Sequence, residues 1–483
     1  MTESLFGVSR VTDADTQEIL DALGAVVGRQ NVLHADTDKA PYEQDWRGKF
    51  RGAALAVVRP ASTEEVSRVL GYCAERRIAV VPQGGNTGLS GGATPDGSGK
   101  AIVLSLTRMH RIRSIDLENS TVTVEAGCIL HSIQQLAAEH GRLFPLSLAA
   151  EGSCTVGGNL ATNAGGTAVL RYGNARDLCL GLEVVLADGE VWDGLRALRK
   201  DNTGYDLRDL FIGSEGTLGV ITAAVLKMEP RPRAMVTALV AVQSPAQALA
   251  LFQLAQQALG PTLTAFEFIS AQCMQVVQRH FPDLAKPFLT LPAYAILVEV
   301  SDHEDEAHAA ALMESFLAQA LEQSHAEDAL IAQSLQQSRE LWAIRENVTE
   351  ALQHEGLQAK HDISVPISAI PSFLQQASAA FEERFPDVRM MAFGHMGDGN
   401  IHCNVVWSPR DGANDSETHD ALNTVVHDLV HTFRGSISAE HGLGQLRRDE
   451  AARLKPATEI RLMRAIKTAL DPLNLLNPGK VLA

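Results

Sequence analysis

The sequence predicts an α+β protein with two folded units and a C-terminal helix. Strand, helix and strand signals alternate in the first half, and each apolar run ends at a proline, a glycine or a helix-capping residue. A proline-rich break follows at Glu229-Pro230-Arg231-Pro232-Arg233, and the alternation then starts again. The length of 483 residues also exceeds what one hydrophobic core usually supports.

The first unit begins with an amphipathic helix pattern over residues 13–30. A compact apolar strand at 53–58 stops at Pro60, and Ser62 with the following acids predicts a helix that runs to about residue 77. The remaining elements are predicted as strands at 78–82, 102–106 and 121–124, a helix at about 130–140, a hairpin at 182–191 around Asp188-Gly189, and a strand at 219–226.

The second unit repeats the same kind of alternation beyond the proline-rich break. Its predicted elements are a strand at 235–242, a helix at 245–259, a strand near 263–269, a helix, a strand at 293–300, a helix at 304–323 and a strand at 401–407. A last helix is predicted at about 457–470, before Asp471-Pro472. We expect domains at 1–230, 231–443 and 444–483.

Charge and cysteine content narrow the function classes. The formal net charge is −17, and no basic stripe exists to follow a nucleic-acid backbone. Six cysteines without paired spacing predict free thiols in a reducing compartment. The first residues do not have the pattern of a signal peptide, and no apolar run is long enough to span a bilayer. We therefore expect a cytoplasmic protein that has no direct membrane span and binds no nucleic acid.

Segments rich in small residues follow several of the predicted strands. Residues 82–92 read PQGGNTGLSGG, and residues 151–166 read EGSCTVGGNLATNAGG. Two more are KDNTGYDL at 200–207 and GSEGTLGVIT at 213–222. Glycines let consecutive backbone N–H groups turn towards an anion, as a flavin pyrophosphate would require. Neither a Walker A loop nor a dinucleotide fingerprint for NAD is present.

Together these four segments resemble the FAD domain of the vanillyl-alcohol-oxidase-type flavoproteins, and in particular their D-2-hydroxy-acid dehydrogenase branch. The resemblance implies a two-part FAD-binding domain, an antiparallel-sheet cap that carries the substrate, and a C-terminal helical segment that returns to the flavin. The first loop has Asn86 and no histidine, so the implied FAD is non-covalent. Gly85 is expected to lie against its pyrophosphate. The implied FAD-binding residues are Pro82, Gly84, Gly85, Asn86, Thr87, Gly88, Leu89, Gly152, Ser153, Thr155, Gly158, Asn159, Thr162, Asn163, Gly166, Glu215, Gly216, Gly219, Ile221 and Asn477.

A metal site is predicted from FGHMGDGNIHCN at residues 393–404 and the later pair Glu440-His441. His395, His402 and Glu440 can occupy three positions around a divalent cation and leave one open for a substrate oxygen. Imidazole and carboxylate together favour Zn²⁺, with Mn²⁺, Co²⁺ or Fe²⁺ as alternatives. His395 is expected in the turn before the strand that carries His402. The resemblance implies the same three ligands and makes His441 the catalytic acceptor of the substrate proton.

The substrate is predicted from a helix pattern near residues 341–352. Leu341, Ile344, Val348 and Leu352 form its apolar stripe, with Arg345 and Thr349 on one edge. Arg345, Thr349 and Lys360 match the substrate-binding set of D-2-hydroxyglutarate dehydrogenases, and Asn404 and His441 complete the expected substrate contacts. Two cations beside a metal suit a dicarboxylate better than lactate or glycolate.

These observations predict FAD- and metal-dependent oxidation of a D-2-hydroxy acid, with D-2-hydroxyglutarate favoured and D-malate also considered. D-lactate or glycolate dehydrogenase is the alternative on the same scaffold. A zinc hydrolase and a non-catalytic flavin-binding protein are the alternatives of other classes. The resemblance implies an electron-transfer flavoprotein or a quinone-linked carrier as electron acceptor, and a homodimer is considered.

Overall fold

A computed structural model describes residues 13–284, 286–409 and 415–483. Its helices are α1 (Asp13–Val27), α2 (Asp36–Lys39), α3 (Thr63–Arg76), α4 (Leu130–Glu139), α5 (Val156–Ala161), α6 (Val169–Tyr172), α7 (Arg208–Phe211), α8 (Pro245–Leu259), α9 (Ala271–His280), α10 (Glu306–Glu322), α11 (Leu335–Glu346), α12 (Val348–Ala351), α13 (Ile370–Arg384), α14 (Asp415–Thr432), α15 (Arg448–Leu454) and α16 (Ala457–Leu470).

The strands are short in the first half and longer in the second. They are β1 (Val32–Leu33), β2 (Ala56–Val58), β3 (Val80–Gln83), β4 (Ile102–Ser105), β5 (Ile112–Asp116), β6 (Thr121–Glu125), β7 (Arg142–Leu143), β8 (Cys179–Val185), β9 (Val191–Gly194), β10 (Val220–Lys227), β11 (Glu229–Pro230), β12 (Ala234–Val242), β13 (Leu263–Ser270), β14 (Tyr294–Asp302), β15 (Asp328–Ile331), β16 (Leu357–Ala359), β17 (Asp362–Ser364), β18 (Arg389–His395) and β19 (Asn400–Trp407).

The first unit contains two main sheets, besides the two-stranded sheet of β7 and β11, and these confirm the predicted two-part organisation. A four-stranded sheet has the order β1-β2-β4-β3, with β2 and β3 parallel to β4. A five-stranded antiparallel sheet has the order β5-β6-β10-β8-β9. Helix α3 begins where its sequence signal predicts, because the Ser62 Oγ accepts a hydrogen bond of 3.2 Å from the backbone N–H of Glu65.

The second unit is built on an eight-stranded antiparallel sheet, which confirms the predicted cap. Its strand order is β15-β12-β14-β13-β18-β19-β16, and β17 also pairs with β19. Helices α8, α10, α13 and α14 pack on one face, and α9, α11 and α12 pack on the other. The proline-rich break is not a free linker, because β11 pairs with β7 and so attaches the break to the first unit.

The C-terminal tail returns to the first unit beside β3. The Val80 N–H donates to the Leu475 carbonyl at 2.8 Å, and the Asn477 N–H donates to the Val80 carbonyl at 2.8 Å. Asn477 Nδ2 also donates to the carbonyls of Gly92 and Glu215, both at 2.8 Å. One side chain thereby joins the tail, the first glycine loop and the loop before β10.

The six cysteines are free, as the sequence predicts, and all six are buried. Burial raises the pKa of Cys179 to about 12, so this thiol is protonated at neutral pH and acts as a small apolar group. Among residues 13–284, 286–409 and 415–483, no helix is both long and apolar enough to cross a membrane.

Candidate active site

The predicted flavin loops meet in the first unit and hold one another through close backbone contacts. A Cβ atom on Gly84 would lie 2.3 Å from the Thr155 Oγ1, and one on Gly85 would lie 2.2 Å from the Ser153 carbonyl oxygen. Glycine is therefore needed at both positions for contact between the loops. Residues 153–154 occupy the place that a Cβ atom of Gly85 would need, so the protein itself requires glycine there; that Gly85 also lies against the pyrophosphate stays a prediction.

Two other glycines leave open space where a cofactor would fit. A Cβ atom on Gly88 or Gly152 would have no protein atom within 4 Å. The buried Thr155 Oγ1 and Asn477 Oδ1 have no hydrogen-bond partner among the described residues. Buried polar atoms are normally hydrogen-bonded. Open space at these glycines, together with buried polar atoms that lack a partner, therefore fits a polar cofactor such as FAD.

Four of the predicted FAD residues have positive φ angles, which are rare for residues other than glycine. Their φ angles are 53° for Asn86, 50° for Asn163, 53° for Glu215 and 44° for Asn477. Surrounding contacts hold these angles: the Glu215 carboxylate, for example, accepts hydrogen bonds from the backbone N–H groups of Leu443 and Gly444 at 2.7 and 2.8 Å. Such strain is often concentrated at functional sites.

The other predicted FAD residues lie in the same loops or in the strands that support them. Pro82 ends up in β3, Gly158 and Asn159 in α5, and Ile221 in β10. Gly166 and Gly219 allow packing within the protein, because a Cβ atom would lie 1.8 Å from the Ser147 carbonyl oxygen or 2.5 Å from Val184. Residues Thr87, Leu89, Ser153, Thr162 and Gly216 complete the three loops. Residues 201–207, by contrast, form an exposed segment.

The structure brings the three predicted metal ligands together. One ligand atom each from His395, His402 and Glu440 lies within 4.8 Å of the other two, and the His395 Nε2 is 3.4 Å from the Glu440 Oε1. His395 is the last residue of β18 rather than part of the following turn, which corrects the sequence prediction. Two imidazoles and one carboxylate, with no fourth ligand in this cluster among the described residues, fit a catalytic divalent metal.

Glu267, which the sequence analysis missed, fixes the orientation of His395. It is the cross-strand neighbour of His395 and accepts a 2.6 Å hydrogen bond from its Nδ1 and a 2.8 Å bond from the Arg345 Nε. Burial alone would raise the pKa of Glu267, but the two cations hold it at about 2. The detectable signal was one charged residue within the otherwise apolar strand LTAFEFIS.

The two imidazoles differ in protonation when no metal is bound. Burial would lower the pKa of His395, but Glu267 and then Glu440 raise it to about 10. Burial lowers the pKa of His402 to about 4, so this ring is neutral at neutral pH. A metal ion at His395 would therefore displace a proton, whereas His402 is already in the neutral form that binds metals.

Asp362, also missed from the sequence, positions His441. Its Oδ2 lies 3.0 Å from the His441 Nδ1 and accepts the backbone N–H groups of Glu440 and His441 at 3.0 and 3.1 Å. Burial opposes ionisation, yet His441 holds the pKa of Asp362 well below its usual range. With Nδ1 directed to the carboxylate, the Nε2 of His441 remains for a substrate proton.

A second possible metal cluster, formed by Asp362, Glu440 and His441, shares one residue with the first. The Asp362 Oδ1 accepts a hydrogen bond of 2.9 Å from the Asn400 Nδ2, and the Oδ2 makes the three contacts described above. Because hydrogen bonds engage both of its oxygens, Asp362 orients its neighbours, and the cluster of His395, His402 and Glu440 is the better metal site.

The predicted substrate residues lie on several elements of the cap. Arg345 is buried, with its guanidinium 4.9 Å from the centre of the Phe393 ring, and Lys360 is half-buried between β16 and β17. The Asn404 Oδ1 accepts a 3.0 Å bond from the His361 N–H. Thr349 is exposed. The predicted single helix is broken at Asn347 into α11 and α12, although its apolar stripe is buried as predicted.

Comparison with protein families identifies the class. Residues 54–194 match the family described as FAD binding domain, and residues 231–481 match FAD linked oxidases, C-terminal domain. The chain therefore belongs to the FAD-linked oxidases, and its two-part first unit and antiparallel cap are those of the vanillyl-alcohol-oxidase type.

Two curated relatives and one solved structure agree with this class. The mitochondrial D-2-hydroxyglutarate dehydrogenase of Danio rerio is 41% identical, covering 97% of this chain and 85% of its own. The D-2-hydroxyglutarate dehydrogenase of Xanthomonas citri pv. viticola is 40% identical, covering 92% of each chain. The structure of p-cresol methylhydroxylase with substrate bound has a TM-score of 0.76 at 19% identity, covers 97% of each chain and shows the shared fold.

Proposed function

We propose that this protein oxidises a D-2-hydroxy acid to the 2-oxo acid with FAD and a divalent metal, and that D-2-hydroxyglutarate is its substrate. The observation that carries the proposal is the contact between the flavin loops and the metal cluster. A Cβ atom on Gly165, in the second loop, would lie 4.0 Å from the Glu440 Oε1. Flavin and metal would therefore act on the same small molecule.

His441 is proposed to remove the proton of the substrate hydroxyl. Asp362 holds the Nδ1 side of the ring, so the Nε2 accepts the proton and Asp362 stabilises the resulting cation. The same carboxylate accepts from the backbone N–H groups of Glu440 and His441 and fixes the position of this turn. Proton removal and metal binding are thereby held in one geometry.

The cofactors supply the chemistry that side chains lack. FAD supplies the two-electron acceptor, and a divalent metal, with Zn²⁺ favoured by its ligands, supplies a Lewis acid for the substrate oxygen. His395, His402 and Glu440 would hold the metal. Glu267 keeps His395 in the orientation that directs its Nε2 towards Glu440.

The dicarboxylate preference is supported by the cations of the cap and by the names of the relatives. Lys360 has no hydrogen bond or ion pair with any described residue, and only the Nε of Arg345 is bonded. The terminal nitrogens of Arg345 and the Lys360 ammonium would bind carboxylate oxygens. D-malate is the second dicarboxylate considered, and D-lactate or glycolate remains the alternative.

Chelation tests the metal requirement. Removing divalent metal should abolish oxidation while the visible flavin spectrum is retained, and Zn²⁺ or Mn²⁺ should restore turnover. Retained turnover in exhaustively metal-free enzyme would give the three ligands a structural role. An electron-transfer flavoprotein or a quinone-linked carrier is the proposed natural acceptor, so an artificial dye serves as acceptor in the assay.

A further inference from the structure

The surroundings of His441 contain cations without carboxylate partners among the described residues. Only 7% of Arg447 is exposed, and its Nη1 donates to the Ser90 Oγ at 3.2 Å and the Gly442 carbonyl at 3.4 Å. Lys360 likewise has no ion pair. The buried carboxylate nearby, Asp362, is already engaged by His441, Glu440 and Asn400. This region therefore has positive charge available for an anionic ligand.

A loop between β1 and β2 of the first sheet, residues 44–51, adds another cation. It is closed by hydrogen bonds in both directions between Asp45 and Phe50, at 2.6 and 3.0 Å. Asn86 of the first flavin loop donates to the Gln44 carbonyl at 2.9 Å. Phe50 packs so closely on Gly91 that a Cβ atom there would lie 2.7 Å from its ring.

These contacts place the loop beside the turn that carries His441. Gly91 follows Ser90, whose Oγ donates to the Gly442 carbonyl at 3.1 Å. Arg47, near the tip of the loop, is exposed and has no hydrogen bond or ion pair with a described residue. Arg47 also shares the electrostatics of the site. Burial lowers the pKa of Arg47, whereas Asp45 and then Asp362 favour its charged form; burial and then the charge of Arg47 lower the pKa of Lys360.

We propose that Arg47 determines specificity by binding the second carboxylate of the substrate at the entrance to the site. This inference rests on the proposed function and adds a residue from the first unit to the cations of the cap. Arg345 shares its charge with Glu267 in a buried pair, so Arg47 and Lys360, which have no such partner among the described residues, add to the attraction of a second carboxylate. A monocarboxylate held at the metal would have no group to reach Arg47.

The test compares Arg47→Gln with Arg51→Gln in the FAD- and metal-loaded enzyme. Arg51 is exposed on the same loop and serves as the matched control. Arg47→Gln should raise the KM for D-2-hydroxyglutarate at least ~5-fold and leave its kcat within ~2-fold, because a positioned charge–carboxylate contact is lost before the chemical step. Its KM for D-lactate, and all constants of Arg51→Gln, should be unchanged.

Calorimetry with glutarate and butyrate tests this inference separately from the proposed function. Both ligands lack a 2-hydroxyl group, so their affinities can be measured without any oxidation. Arg47→Gln should weaken glutarate binding and spare butyrate, whether or not the protein oxidises a hydroxy acid. Equal losses for both ligands, or no loss for glutarate, would overturn the role of Arg47. A wild-type enzyme that oxidises no 2-hydroxy acid, yet loses glutarate affinity in Arg47→Gln, would refute the proposed function alone.

Discussion

Two buried carboxylates, Glu267 and Asp362, set the orientation of the two histidines with the most direct proposed roles. Glu267 bonds the Nδ1 of His395, and Asp362 contacts the Nδ1 of His441. In each case the other ring nitrogen is left for the metal or the substrate. Such supporting carboxylates commonly fix the tautomer and the orientation of an imidazole.

Glu267→Gln should weaken metal binding. Glutamine cannot provide the negative charge that holds both His395 and Arg345, so we expect the metal affinity to fall ~10- to 100-fold, as measured by metal titration. Glu299→Gln is the matched control, because this buried carboxylate lies on β14 of the same sheet and bonds Trp342 and Thr237 instead. Equal metal affinities of the wild type and Glu267→Gln would exclude this supporting role.

Asp362→Asn should impair the chemical step. The amide cannot stabilise a protonated His441, so kcat should fall by ~10² or more in the dye-linked assay. The FAD content should remain at the wild-type level, and kcat is compared at equal metal occupancy because Asp362 also accepts the backbone N–H of the metal ligand Glu440. If Asp362→Asn kept the full kcat, the contact between Asp362 and His441 would have no part in the proposed proton transfer.

The sequence could predict the residues whose motifs are local, but not their distant partners. His395, His402 and Glu440 belong to sequence segments that are marked by nearby glycines, and the structure does bring them together. Glu267 lies 128 residues from His395 in the chain, and only the pairing of β13 with β18 makes them neighbours. Asp362 was visible two residues after Lys360 but carried no local signal of its contact with His441.

At the level of elements, a substitution of Gly88 tests flavin binding with less disturbance of the fold than a substitution of Gly85. Gly85 contacts the second loop, so a larger residue there would disturb the fold itself. A side chain at Gly88 would enter space that contains no protein atom within 4 Å. Gly88→Val should therefore fold normally and lose FAD affinity at least ~10-fold, as measured by flavin titration of the apoprotein.

Gly97→Val is the control for this substitution. Gly97 also has open space around it, but it lies outside the three flavin loops. It should bind FAD as the wild type does. If Gly88→Val retained full FAD affinity with an unchanged melting temperature, the open edge of the first loop would not be part of the flavin site.

Elements with strong end signals were predicted well. Helices α8 and α16 have the predicted bounds, because Ser244-Pro245 starts the first and Asp471-Pro472 ends the second. Strand β18 was missed, since its apolar run MMAF is short and leads directly into the glycine-rich turn. The break between α11 and α12 was also not predicted; at this break the Asn347 side chain bonds the Ala343 carbonyl in addition to the backbone N–H of Asn347.

The whole molecule places several cations without ion pairs beside the candidate site of an otherwise acidic protein. The net charge is −17, yet Arg47, Lys360 and Arg447 lie near His441 without carboxylate partners in the described parts of the chain. The first unit contributes the flavin loops, the cap contributes the metal cluster, and the tail holds the first glycine loop through Asn477. Each unit alone would therefore lack part of the site.

The most direct test of the central proposal is the specificity constant of the metal-loaded flavoprotein for a panel of D-2-hydroxy acids with a dye acceptor. Unpaired cations favour a substrate with two carboxylates, so D-2-hydroxyglutarate or D-malate should exceed D-lactate and glycolate at least ~10-fold in kcat/KM. A wild-type preference for D-lactate or glycolate would contradict the dicarboxylate account.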